Sequence, residues 1–123
     1  MSPEDRQALV EGWIAYVKAR DNPHEEERHE WARKKLRDLE STNPELAWEL
    51  ILEILNKDQD DWLMEVLAAG PLEDLLAHYG PRFIERVEAR AKNDPAFKDL
   101  LGGVWQNTMS NDIWARVQRI TGS

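Results

Sequence analysis

The chain has 123 residues, 41% hydrophobic and 33% charged, a balance that suits one globular domain with its own core and is short for two ordinary ones. No apolar run approaches the roughly 20 residues a membrane-crossing helix needs, so no bilayer span is expected. The net charge of −8 argues against a nucleic-acid ligand, and the absence of cysteine excludes disulfides, thiolate metal sites and a cysteine nucleophile.

Ser2-Pro3-Glu4-Asp5 reads as a helix start, with a capping hydroxyl, a proline suited to the first turn and acids at the positive end of the dipole. Leu9, Val10, Trp13, Ile14 and Val17 follow at helical spacing, and Asp21-Asn22-Pro23 breaks the pattern. From Pro23 to about Glu40 the residues are nearly all charged, acids early and bases late. The seam of Trp31, Ala32, Leu36 and Leu39 is narrow, which predicts an outer helix. Asn43-Pro44-Glu45 caps a third helix whose apolar residues Leu46, Ala47, Trp48, Leu50, Ile51, Leu52, Ile54 and Leu55 predict burial from more than one side.

A short helix is expected from about Asp61 to Ala69. Gly70-Pro71 should end it and start another through Leu72, Leu75, Leu76 and Tyr79, and Gly80-Pro81 should repeat the device before Phe83, Ile84, Val87 and Ala91. Asn93-Asp94-Pro95 and Gly102-Gly103 bracket a short helix with Phe97, Leu100 and Leu101, and Ser110 caps the last, with Ile113, Val117 and Ile120 on one side. Nowhere do β-branched and aromatic residues alternate at period two. The expected fold is therefore all-α: a single domain of seven or eight short helices in an irregular antiparallel bundle or a small HEAT-like stack.

Familiar chemical motifs are missing. His24 and His29 stand five residues apart, about 500° of helical rotation, where a zinc-binding helix needs four. Asp58-Gln59-Asp60-Asp61 cannot open a calcium loop, because Leu63 falls where glycine is required and Ala69 where a bidentate glutamate is required. Ser2, Ser41, Ser110 and Ser123 lie at ends or caps rather than in a nucleophile elbow, and Gly102-Gly103 lacks the Lys-Ser or Lys-Thr of a phosphate loop. No metal or cofactor is expected.

Charge is unevenly spread, since residues 42–77 carry nine acidic side chains and one basic one. Glu45, Glu49 and Glu53 form a row at i, i+4, i+8, followed by Asp58, Asp60 and Asp61. Such a field attracts a basic protein surface. Arg82, Arg86 and Arg90 form a matching basic row that could instead neutralise the glutamates internally. Trp105-Gln106-Asn107-Thr108-Met109 is the second candidate surface, because Trp buries a large area with few rotamers and the amides beside it offer orientable hydrogen bonds. The competing reading makes Trp105 a core plug whose neighbours satisfy helix ends.

The segment from Gly102 to Arg116, together with Leu67-Ala-Ala-Gly-Pro-Leu-Glu-Asp-Leu-Leu76 and the Phe83-Ile84 helix, resembles an uncharacterised family of small bacterial domains. The resemblance spans roughly the C-terminal half and implies no known activity. The expectation is a cytoplasmic protein-binding module, sharpest as an inhibitor or immunity-type protein that blocks a basic partner. It would bind through Glu45, Glu49, Glu53, Asp58, Asp60, Asp61, Trp105, Gln106 and Asn107. Alternatives are a small enzyme with a site around Trp105, Asn107 and His78, or a homodimeric subunit pairing through the helix from Asn43 to Asn56.

Overall fold

The computed structural model describes residues 1–122, and Ser123 lies outside them. Among the described residues every regular element is helical. Local chemistry explains most of the starts. Four of the six prolines, Pro3, Pro23, Pro44 and Pro95, occupy first helical positions, each preceded by a residue whose side chain accepts a backbone N–H of the first turn. Ser2 accepts from Asp5 at 3.1 Å, Asn22 from Glu25 at 3.3 Å, Asn43 from Leu46 at 3.2 Å and Asp94 from Phe97 at 3.2 Å. Each cap satisfies a donor that the helix itself leaves open.

The chain divides into two compact units, Met1–Leu63 and the residues from Met64 onward. The first holds α1 (Pro3–Lys18), α2 (Pro23–Thr42) and α3 (Pro44–Lys57). Its interior contains Leu9, Val10, Trp13 and Val17 of α1 and Ala32, Leu36 and Leu39 of α2. On α3, Ala47, Trp48, Leu50, Ile51, Ile54 and Leu55 are all buried, as the width of the apolar stripe predicted. Gly12 lets α1 and α2 approach closely, since a methyl there would meet Ala32 Cβ and Trp31 Cζ2, both at 3.0 Å. Trp31 departs from the predicted seam: 49% of it is exposed.

Helix α4 (Asp61–Leu67) crosses the division and runs through a π-helical turn, Ala68–Leu72, into α5 (Glu73–Asn93). Here the structure corrects the sequence reading. Gly70-Pro71 does not end a helix, because Leu67, Leu72 and Glu73 all keep right-handed helical dihedrals. Proline in a regular helix presses its ring on the carbonyl four residues earlier, and the wider π turn relieves that pressure. Gly80-Pro81 acts differently again: the bend lies at Tyr79 (φ −133°, ψ 28°) and the helix resumes beyond it. Gly80 itself serves packing, for a methyl there would stand 2.8 Å from Ile113 Cγ1. Counted with the π junction joined there are six helices among the described residues. The second unit is completed by α6 (Pro95–Leu101) and α7 (Asn111–Thr121), which pack with α5 around Phe83, Ile84, Val87, Phe97, Leu100, Leu101, Ile113 and Val117.

Candidate functional site

Between α6 and α7 the chain makes a loop, Gly102 to Ser110, that is pinned at both ends. The Gly103 and Val104 N–H groups donate to Leu100 and Leu101 carbonyls at 3.0 and 3.1 Å, continuing α6 as tight turns, and the Val104 side chain is buried. At the far end Met109 is buried and Ser110 caps α7, accepting from Ile113 N–H at 3.3 Å. Between these anchors Gln106 to Met109 form a turn closed by the Met109 N–H donating to the Gln106 carbonyl at 2.7 Å. Asn107 takes a positive φ of 42°, a left-handed conformation that asparagine tolerates better than most residues. The Gln106 side-chain amide crosses the turn, donating to the Met109 carbonyl at 3.2 Å and to Asn111 Oδ1 at 2.8 Å.

The loop is also held from the side. Glu73, the one buried charged residue among those described, directs its carboxylate at the loop. Oε1 accepts the Trp105 backbone N–H at 2.8 Å, and Oε2 accepts the Asn107 side-chain amide. Gly103 sits against the π turn, where a methyl would meet Ala68 Cβ at 3.0 Å. The consequence is a well-held backbone with its one aromatic ring turned outward: Trp105 is 71% exposed, the most open large hydrophobic side chain described.

Sequence reasoning singled out Trp105, Gln106 and Asn107, and the structure brings all three together on this loop. It missed Glu73, which reads in sequence as an ordinary first-turn acid. One unused signal was present. Leu100 to Asn111 is a run of 12 residues without an ionisable side chain in a chain that is 33% charged, so the loop itself carries no charge.

The acidic candidates all belong to the first unit and are largely engaged within it. Arg6 of α1 donates to Glu53 at 3.0 Å and lies 3.6 Å from Glu49. One guanidinium thus serves two carboxylates, whose side chains stay 41% and 56% exposed. Glu45 is not free either. Asp58 pairs with Lys18, and that ammonium beside it holds its carboxyl below the usual carboxylate range, helped by the Asp60 N–H. Asp60 turns Oδ2 to the Leu63 N–H at 3.3 Å, a helix cap, and Asp61 stands exposed at the start of α4. Of the arginine row, Arg90 donates to Asp94 at 3.1 Å, while Arg82 and Arg86 lie 5.6 and 5.1 Å from the centre of the Phe83 ring.

The Asn107 amide donates to Glu73, and His78 is exposed with Nδ1 2.9 Å from the Asp74 carbonyl. Three surface cavities of about 510, 360 and 610 Å³ are lined by other residues. Among the described residues no three histidine, aspartate or glutamate side chains are grouped to hold a metal, and no helix is long and apolar enough to cross a membrane.

Fold and site together define an all-helical protein with an uncharged, tryptophan-bearing loop braced by a buried carboxylate. The chain belongs to a family of unknown function, DUF6869, whose pattern matches residues 19–123. No curated protein and no solved structure is detectably similar to it.

Proposed function

We propose that the chain is a protein-binding module that anchors its partner through Trp105. The observation that carries this reading is the combination of a 71% exposed indole with a backbone fixed on three sides. Burying a large apolar ring is favourable, so a partner that covers Trp105 would gain the burial that the free protein forgoes. Tryptophan dominates interface energetics for the same cause. The uncharged loop sequence suits an apolar pocket on the partner, with Gln106 and Asn107 at the rim.

The finer part of the proposal is an inhibitor or immunity-type role in the cytoplasm against a basic partner. It draws support from the charge distribution: Met1–Leu63 carries 16 acidic and nine basic side chains, whereas the rest carries eight and seven. A surplus of this kind accelerates encounter at long range even when individual carboxylates are paired, while the tryptophan contact sets the dissociation rate.

Capture from a lysate of the source organism, with the immobilised protein and its Trp105→Ala variant compared at low and high salt, tests the proposal. A retained protein that disappears with Trp105→Ala, and whose purified form shows salt-dependent association but nearly salt-independent dissociation, is the expected result. Identical retention by both forms would refute the loop as the binding surface. Salt-independent association would remove the basic partner and leave the loop.

A further inference from the structure

We infer that Glu73 is a positioning residue that sets the Trp105 loop in its binding conformation before a partner arrives. The inference rests on the reading of that loop as the recognition surface, and it explains a carboxylate that has no other evident task. Burying a charged group is unfavourable unless hydrogen bonds compensate, and an aliphatic side chain would fill the same space without that penalty. Nor is Glu73 serving an open helix end. Its own N–H is already taken by the Ala68 and Gly70 carbonyls of the π turn, so the orphan donors that usually draw an acid to a first turn are absent here.

What the carboxylate does hold is the exposed tryptophan, from both sides. One oxygen takes the N–H of Trp105 and the other takes the side chain of Asn107, the residue with positive φ that turns the loop. These are charge-assisted bonds, stronger than neutral ones. A loop ordered in advance loses less freedom on binding, and its apparent affinity is not reduced by the fraction of time spent in other conformations.

Exchanging the polarity of the bond tests this. Glu73→Leu removes both acceptors at similar volume, and Asn107→Asp sets two carboxylates against each other. Glu73→Gln combined with Asn107→Asp restores one donor and one acceptor in reverse, with aspartate still tolerating the left-handed turn. Amide hydrogen exchange on the free protein reads the outcome, with the α7 amides reporting global stability. Each single change should speed exchange at Trp105 about 10- to 100-fold while α7 protection holds, the range expected for loss of a hydrogen bond to a charged group. The double variant should recover most of it. Asn107→Gly, which suits the backbone and removes only the side-chain bond, should loosen the loop with the least risk to folding.

Unchanged exchange in the single variants, a parallel loss of protection in α7, or no recovery in the double variant would overturn the inference. Because these measurements need no partner, they are independent of whether Trp105→Ala abolishes capture. With a captured partner in hand, Glu73→Leu should weaken binding by about the factor seen in exchange. A loosened loop that binds equally well would show that the brace plays no part in recognition.

Discussion

Trp105→Ala should leave the fold almost untouched, and the contrast with Trp13→Ala gives the expectation a scale. A tryptophan side chain offers roughly 250 Å² of surface, so an exposure of 71% leaves about 70 Å² hidden. At about 25 cal/mol per Å² that area is worth at most ~1.8 kcal/mol, and less once the hidden surface of the unfolded chain and the area alanine retains are subtracted. A loss of about 1 kcal/mol or less follows. Trp13 is 2% exposed, fills the space between α1 and its neighbours, and should cost about 3–5 kcal/mol on truncation. With a urea dependence of about 1–3 kcal/mol per molar, the two variants separate clearly. Denaturation followed by circular dichroism should move the midpoint by about 1 M at most for Trp105→Ala and by about 1–5 M for Trp13→Ala, at least roughly threefold farther at any one slope. A comparable shift for both would mean that the Trp105 ring is part of the packing, and the argument for display would fail.

Two further outcomes test the packing and the charges. Gly12→Ala gains up to about 1 kcal/mol of helix propensity but forces a methyl to 3.0 Å from Ala32 Cβ, an overlap that should cost about 1–3 kcal/mol. The net should be destabilising, and urea titrations of Gly12→Ala, Ala32→Gly and the double variant should show favourable coupling between the sites. Strict additivity would refute the close approach. In the pH dependence, the Lys18 ammonium beside Asp58 and the Arg116 guanidinium beside Glu88 hold both carboxyls below their usual range. Groups depressed in the folded state contribute stability above the unfolded-state pKa of about 4, and lose it as pH falls through the folded value. Urea titrations from pH 6 to pH 2 should therefore show a falling acid limb that is shallower in Glu88→Gln and in Asp58→Asn. An unchanged slope in both variants would contradict the pairing.

Much of the fold was legible because its signals are local. Ser2, Asn22, Asn43, Asp94 and Ser110 cap donors three residues away, and the prolines behind four of them fix the first turn, so these starts can be read from neighbours along the chain. Gly-Pro was ambiguous at this level. The same dipeptide ends a helix when glycine turns left-handed, yet at Gly70-Pro71 the strain is relieved by widening one turn, and beside Gly80 the bend is taken by Tyr79. The choice depends on what each turn packs against. Gly80 accommodates Ile113, a neighbour 33 positions along that spacing rules do not supply.

For the binding surface the division is similar. The sequence alone determined that the protein is helical, that its acidic surplus is concentrated in residues 42–77, and that an uncharged tryptophan segment joins two helices. Only tertiary structure decided which tryptophans face water, that Arg6 serves glutamates up to 47 residues away, and that Glu73 braces a loop 32 to 34 residues farther on. The physical reason is range. Capping, propensity and periodicity act within about one turn of the chain and leave their mark on adjacent letters, whereas burial and charge pairing depend on which distant segments the folded backbone brings together.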